Sequence, residues 1–137
     1  MSSFKIFDIA GSGMNAQNLR MNVVASNLAN VDAVSSSVGE TYRSRQPVFQ
    51  AMLDQANSGS PAVGVRMAGV VESQAPLVRE YSPHHPKADP EGYIYRPNVD
   101  VVEEMANMIS ASRAYQNNVE VVNATRRMLK ATINLGR

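Results

Sequence analysis

His84 and His85, held between Pro83 and Pro86, are the residues most suited to chemistry, and they are the chain's two histidines. Imidazole is the commonest metal-ligating side chain. Adjacent ligands on a proline-fixed backbone rarely converge on one ion, however, and no third ligand is spaced to complete the set. Glu103-Glu104 resembles an acid pair, but neighbours on a helix point ~100° apart. A helix dipole favours carboxylates in a first turn without any catalytic demand. Gly11-Ser12-Gly13 lacks the preceding strand, third glycine and acidic partner of a dinucleotide-binding turn. Arg126, Arg127 and Lys130 could reach phosphates, yet the negative end of a helix explains three cations more simply. No Ser-His-Asp or Cys-His arrangement can be argued. The expectation is therefore no enzyme: no catalytic residue, no cofactor and no metal.

Composition narrows the classes further. The chain has 137 residues, one domain's worth of material, and a formal net charge of +1. Residues 1–31 carry +1, 32–97 carry −1 and 98–137 carry +1, so no block is basic enough to follow a nucleic-acid backbone or hold an anionic membrane by charge. Cysteine is absent, which excludes disulfides and thiolate metal sites and suits oxidising and reducing compartments alike. Eight methionines match the eight aromatic residues, none of them Trp, and flexible Met tolerates several packing partners. The first residues lack the basic start, apolar run and cleavage site of a secretory signal. No stretch approaches the ~20 apolar residues that cross a bilayer. By these rules alone the protein would stay in the cytosol.

Both ends of the chain are heptad-patterned. Phe7, Met14, Met21 and Leu28 recur every seven residues, with Ala10, Gln17, Val24 and Val31 three behind. That is the 3–4 spacing of a coiled-coil seam, interrupted by Gln17. Ile9, Ala16 and Val23 form another apolar row leading to Asn30, and two apolar faces on one helix require two neighbours. Gly11 and Gly13 each cost ~1 kcal/mol relative to Ala, so this helix depends on tertiary packing. It should end at Asn27 to Asn30. The second helix should start at Asp100, an N-cap with Glu103 as an approximate capping box, and run to Leu135 with Gly136 as its C′ residue. Its seam reads Val101, Met105, Met108, Ser112, Tyr115, Val119, Val122, Arg126, Leu129, Ile133, and Ala114, Val121, Met128 and Leu135 form a second row. It would extend ~50 Å at 1.5 Å per residue.

Between the two helices the helical period vanishes. Six of the seven prolines lie from Pro61 to Pro97, which disfavours a long helix. Thr41 to Leu53 reads as an extended segment and a short turn of helix, and Asn57 to Pro61 as a turn. Ala62 to Glu72 alternates as a strand, and Pro76 to Tyr81 as another that could pair with it in a hairpin. Tyr93-Ile94-Tyr95 is a brief apolar landing point. The expected fold is mainly α with a small β element: residues 1–31 and 98–137 as long helices packing as a coiled-coil-like pair, and 32–97 as a linker with an irregular, β-hairpin middle.

Two stretches resemble a known family. Asn22-Val23-Val24-Ala25-Ser26-Asn27-Leu28-Ala29-Asn30-Val31-Asp32 is similar to the N-terminal motif of bacterial flagellar rod and hook axial proteins. Pro97-Asn98-Val99-Asp100-Val101-Val102-Glu103-Glu104-Met105, with Ser112-Arg113-Ala114-Tyr115-Gln116-Asn117-Asn118-Val119-Glu120, resembles that family's C-terminal helix. The short length, Gly92-Tyr93 before Pro97 and Gly39-Glu40-Thr41-Tyr42-Arg43 resemble the proximal-rod branch. The likeness is specific at both ends and weakest from Ser58 to Pro90. Ala33 stands where Thr is common in the family, and a Ser-rich insertion precedes Tyr42-Arg43.

The resemblance implies a structural subunit of the flagellar basal body. It would be exported unfolded by the flagellar type III apparatus without a cleaved signal, and would assemble helically in the periplasm into a rod that transmits torque from motor to hook. Its implied partners are further copies, other proximal and distal rod proteins, and the export-gate adaptor at the rod base. No nucleic acid, small-molecule substrate or membrane insertion is expected. The assembly interface would comprise Phe7, Met14, Met21, Val24, Leu28, Val101, Met105, Met108, Tyr115, Val119, Val122, Leu129 and Ile133. The motif residues are Asn27, Leu28, Ala29, Asn30, Pro97, Asn98, Val99 and Asp100. Two other readings stand beside it: a soluble helical adaptor that binds one amphipathic partner, and an enzyme using His84 and His85.

Overall fold

The computed structural model describes residues 3–52 and 63–136. Helix α1 (Ser3–Ala29) and helix α2 (Val101–Leu135) flank four short strands: β1 (Arg45–Met52), β2 (Gly64–Glu72), β3 (Val78–Tyr81) and β4 (Tyr93–Arg96). The helices run antiparallel, since Asn27 meets Glu104, Arg20 meets Asn107 and Gly13 lies against Asn118. At 35 residues α2 is unbroken and about 52 Å long.

The helix starts and stops follow local chemistry. Asp100 caps α2, its Oδ1 accepting from the backbone N of Val102 at 2.8 Å and of Glu103 at 3.1 Å. Gly136 closes the other end through its N–H to the Ile133 carbonyl, with φ −93°, so the left-handed turn of a C′ glycine is not used. The helix runs a full turn beyond Lys130 and has no basic residue in its last turn. The dipole therefore does not account for Arg126, Arg127 and Lys130, because its influence fades within one turn. Helix α1 passes unbroken through Gly11 and Gly13. A Cβ on Gly13 would lie 2.9 Å from Asn118 Nδ2, whereas one on Gly11 would meet open space. Gly13 is where the Asn118 side chain of α2 rests on α1.

Strand pairing differs from the expected hairpin. β2 pairs with β1, antiparallel from Arg45↔Glu72 to Met52↔Gly64, while β3 pairs with β4. The segment from Thr41 onward is extended through Met52 rather than turning into helix; Leu53 and the Asn57–Pro61 turn lie outside the described residues. Ser73 to Leu77 does not turn β2 onto β3; it is held by Arg43 and Asn98 side chains bonding the Ser73 and Ala75 carbonyls, which fix it against β4's approach to α2 instead of closing a hairpin. A register shift between Val48 and Phe49 keeps Phe49 opposite Met67, and both stay half-buried. The β1–β2 hairpin lies along α1, tied near Asn27 by Arg45 and near Ser12 by Val65, whose N–H donates to Ser12 Oγ at 3.1 Å. Gly92 (φ 83°) makes the turn into β4, where a Cβ would sit 3.0 Å from the Tyr81 ring.

The core is small. Among the described residues Ala10, Ala16, Val24, Ile94 and Ala111 are the buried apolar ones, and the largest fully buried side chain is polar: Asn27.

Candidate assembly surface

Asn27 is 1% exposed and makes four hydrogen bonds. Its Nδ2 donates to the Arg45 carbonyl at 2.8 Å and to Glu104 Oε1 at 3.0 Å. Its Oδ1 accepts from the Tyr42 hydroxyl at 2.8 Å and from the Arg45 N–H at 2.9 Å. One amide thereby joins the end of α1, the start of β1 and the first turn of α2. Asn98 repeats the device: its Oδ1 accepts from Ser44 N at 2.8 Å and its Nδ2 donates to the Ala75 carbonyl at 2.9 Å. Pro97 is buried and Val99 half-buried beside it, while Asn30 bonds back to the Ser26 carbonyl and Ala29 faces solvent. Among the motif residues Asn27 and Asn98 are thus joints of the scaffold, and Asp100 is a helix cap. Tyr42 belongs to the same joint through its hydroxyl, a role that its place in a loop concealed.

Glu104 is not a mere dipole partner. It is 6% exposed, with Oε2 buried and unpartnered among the described residues. Burial pushes its carboxyl above the usual range and neighbouring Glu103 adds to the rise, while Asn27, Ser44 and Arg20 oppose it. Glu103 beside it is exposed, as the dipole explanation requires.

The intramolecular seam is displaced by one residue from the most apolar one. On α1 the residues meeting α2 are Gly13, Arg20 and Asn27, seven apart, and Ala10 and Val24 are buried beside that row. On α2 they are Glu104, Ala111, Asn118 and Thr125, again seven apart, beside half-buried Met108, Tyr115, Val122 and Leu129. Phe7, Met14, Met21 and Leu28 therefore sit on a flank, half-buried, and Val24 is 3% exposed. Val119 is half-buried, while Val101 (41%), Met105 (53%) and Ile133 (67%) are exposed. The other flank of α2 exposes Val121, Met128 (70%) and Leu135 (88%). Val102 and Ile109 are exposed near its start. Gln17 lies in the seam with its Oε1 buried and without a partner.

On the far side of α1, Leu19, Asn22, Val23 and Ser26 line a groove of about 430 Å³ against Arg45, Met67, Val70 and Glu72 of the hairpin. Val23 thus packs toward the sheet, the second neighbour that its row requires. His84 is exposed, and His85 Nδ1 accepts from Lys87 N at 3.1 Å within a turn. Among the described residues no group of three or more His, Cys, Asp or Glu could hold a metal ion, and no helix is long and apolar enough to cross a membrane.

Family models match both helical ends. Residues 7–35 match the model described as flagella basal body rod protein, and 91–135 the one described as flagellar basal body rod FlgEFG protein C-terminal. The chain is 52% identical over 136 residues to the flagellar basal-body rod protein FlgC of Escherichia coli O6:H1, covering 99% of each. It is 51% identical to that of Salmonella typhimurium, again over 99% of each. Identity to the Bacillus subtilis protein of the same name is 33% over 150 residues, covering 100% of both.

Proposed function

The chain belongs to the flagellar basal-body rod protein family, and from that premise we propose how its surfaces build a rod. It is a structural subunit of the flagellar basal body and not an enzyme. Rod proteins act with other rod components, so the uncovered surfaces of this chain have neighbours to meet.

The observation that carries the assembly reading is the displaced seam. A helix pair formed for its own sake would close on its most apolar rows. Here the pair closes on Gly13, Arg20 and Asn27 against Glu104, Ala111, Asn118 and Thr125, and leaves the richer rows at the flanks. Isolated surface hydrophobes need no explanation, but heptad-related ones, Met105 and Ile133 on one flank of α2 and Val121, Met128 and Leu135 on the other, form apolar rows that another helix can cover. In this reading Phe7, Met14, Met21 and Leu28, with Val101, Met105, Val119 and Ile133, serve contacts between subunits. Val24, Met108, Tyr115, Val122 and Leu129 serve mainly contacts within the subunit. Residues 1–31 and 98–137 are the assembly helices, and 32–97 faces outward.

The remaining roles are those expected of a rod subunit: export as an unfolded chain through the type III apparatus without signal cleavage, residence in the periplasmic rod, and torque transmission from motor to hook. Contacts with proximal and distal rod proteins and with the export-gate adaptor at the base complete the proposal. A core lined by alanines around a polar hub suits a chain that must be threaded unfolded, since it contributes modest stability before neighbours cover the flanks.

The test uses a strain lacking the gene, complemented by the native gene or by a Met105→Asp/Ile133→Asp variant. Both side chains are exposed, so the monomer should fold and be exported. Failure of the variant to build rods or restore swimming assigns α2's flank to assembly, and full swimming removes it. Swimming in the strain that lacks the gene would overturn the rod reading itself.

A further inference from the structure

We propose that the polar row between α1 and α2 is a register code, which admits α2 beside α1 in one alignment and rejects alignments slipped by a heptad. The inference concerns pairing specificity and does not depend on which assembly the subunit enters.

The apolar rows cannot set the register alone. Methionine, valine and leucine recur every seven residues on both helices, so a seven-residue slip brings similar side chains opposite one another. The polar row is aperiodic in kind: a glycine, an arginine and an asparagine occupy three successive heptads of α1. Each has a distinct complement. Asn118 fills the space that the missing Gly13 side chain leaves, at a distance where a Cβ would be 2.9 Å from its Nδ2. Arg20 donates to Asn107 Oδ1 at 2.9 Å. Asn27 donates to Glu104 Oε1 at 3.0 Å, and both residues are buried.

A slip in one direction sets Asn118 opposite Arg20 and Asn27 opposite Ala111. The reverse slip sets Asn118 opposite Ile6 and carries Glu104 from Asn27 to a place opposite Arg20. Either way Asn118 meets a side chain instead of a gap, the Arg20–Asn107 pair is parted, and the buried Asn27 amide loses its Glu104 acceptor. Lost partners at buried polar groups are the penalty that a wrong alignment carries. Buried polar groups at seam positions are the best-attested means by which helix pairs fix their register.

The chain has no cysteine, so nitroxide labels can be placed at will. Asn18 and Asn123 are exposed and staggered along the pair, so a heptad slip of about 10 Å changes their separation by several ångströms. Labels at these sites in the otherwise native full chain should give one narrow distance by pulsed electron paramagnetic resonance. The Arg20→Leu/Asn107→Leu/Glu104→Leu/Asn118→Ala variant removes the charged pairings and the filled gap together and leaves Asn27 bonded to Arg45. It should keep its helicity and melting temperature but broaden to two or more separations. One narrow, native distance in a helical variant overturns the proposal.

A gap exchange decides the case independently should that variant lose its helices. Gly13→Leu alone should displace the distance, and Gly13→Leu/Asn118→Gly, which moves the gap to α2, should restore it. Failure of the exchange to restore the native distance overturns the code.

Discussion

Replacing Asn27 with alanine tests whether a polar hub holds this fold. The substitution strands four partners: the N–H and carbonyl of Arg45, the Tyr42 hydroxyl and the Glu104 carboxylate. An unsatisfied buried group costs about 1–3 kcal/mol, more if charged. Arg45 is exposed and its backbone can regain water, so its two groups together contribute about 1 kcal/mol. Tyr42 is half-buried and adds a similar amount. Glu104, at 6% exposure and already lacking a partner on Oε2, carries the largest share, about 2 kcal/mol. The expected loss is about 3–5 kcal/mol, a large part of the roughly 5–15 kcal/mol that stabilises an ordinary domain. Urea unfolding followed by far-ultraviolet circular dichroism would measure it as a lower midpoint with unchanged slope. Asn27→Asp gives the control: it keeps the acceptor for Tyr42 and Arg45 but sets a second carboxylate against Glu104. It should be at least as destabilising as alanine at neutral pH and should partly recover in acid. A loss under about 1 kcal/mol for Asn27→Ala would mean that water replaces the hub at little cost, and the reasoning would fail.

Glu104 also sets a pH dependence. Its folded carboxyl is raised above the ordinary value of 4.5, so its contribution to stability is complete below that value and declines as pH rises through the elevated one. Glu104→Gln keeps the acceptor for Asn27 and removes the buried charge; it should raise the neutral-pH melting temperature and flatten the pH profile, and a lower melting temperature would contradict this. The two glycines of α1 should behave oppositely. Gly11→Ala meets open space and should stabilise by about 0.5–1 kcal/mol, whereas Gly13→Leu must displace Asn118 and should cost about 1–3 kcal/mol in the same unfolding assay. Ser12→Ala leaves the Val65 N–H without its acceptor and should speed amide exchange at Val65 while leaving the β4 amides unchanged.

Much of this fold is legible in the sequence because two helices of this length have a strong period, and because Asp100 is a cap that its own next three residues explain. The strand pairing was not legible. Both β1 and β2 alternate, but nothing local says that β2 returns to a segment nearly twenty residues upstream instead of pairing with the nearer β3; that choice depends on contacts with α1 such as Val65 to Ser12. The site was half legible. Ala10, Gln17 and Val24 on α1 and Met108, Tyr115, Val122 and Leu129 on α2 belong both to the expected seam and to the observed one. The other half of each seam moved by one position, toward residues that hydropathy ranks as unfit for an interior.

Hydropathy treats every polar residue as a cost, whereas Asn27 and Glu104 are buried as a matched pair whose remaining amide valences go to the sheet. That pairing is invisible one residue at a time. Its consequence is a division of labour between rows. If the apolar rows closed the hairpin, the subunit would be more stable alone and would have less apolar surface left to offer a neighbour. By closing on small and polar residues, the chain keeps Met105, Val121, Met128 and Ile133 at the surface while retaining one alignment of its helices. Under the proposed assembly, a subunit that must be stable enough to pair and sticky enough to polymerise gains from separating those tasks by about 50° around the same helix.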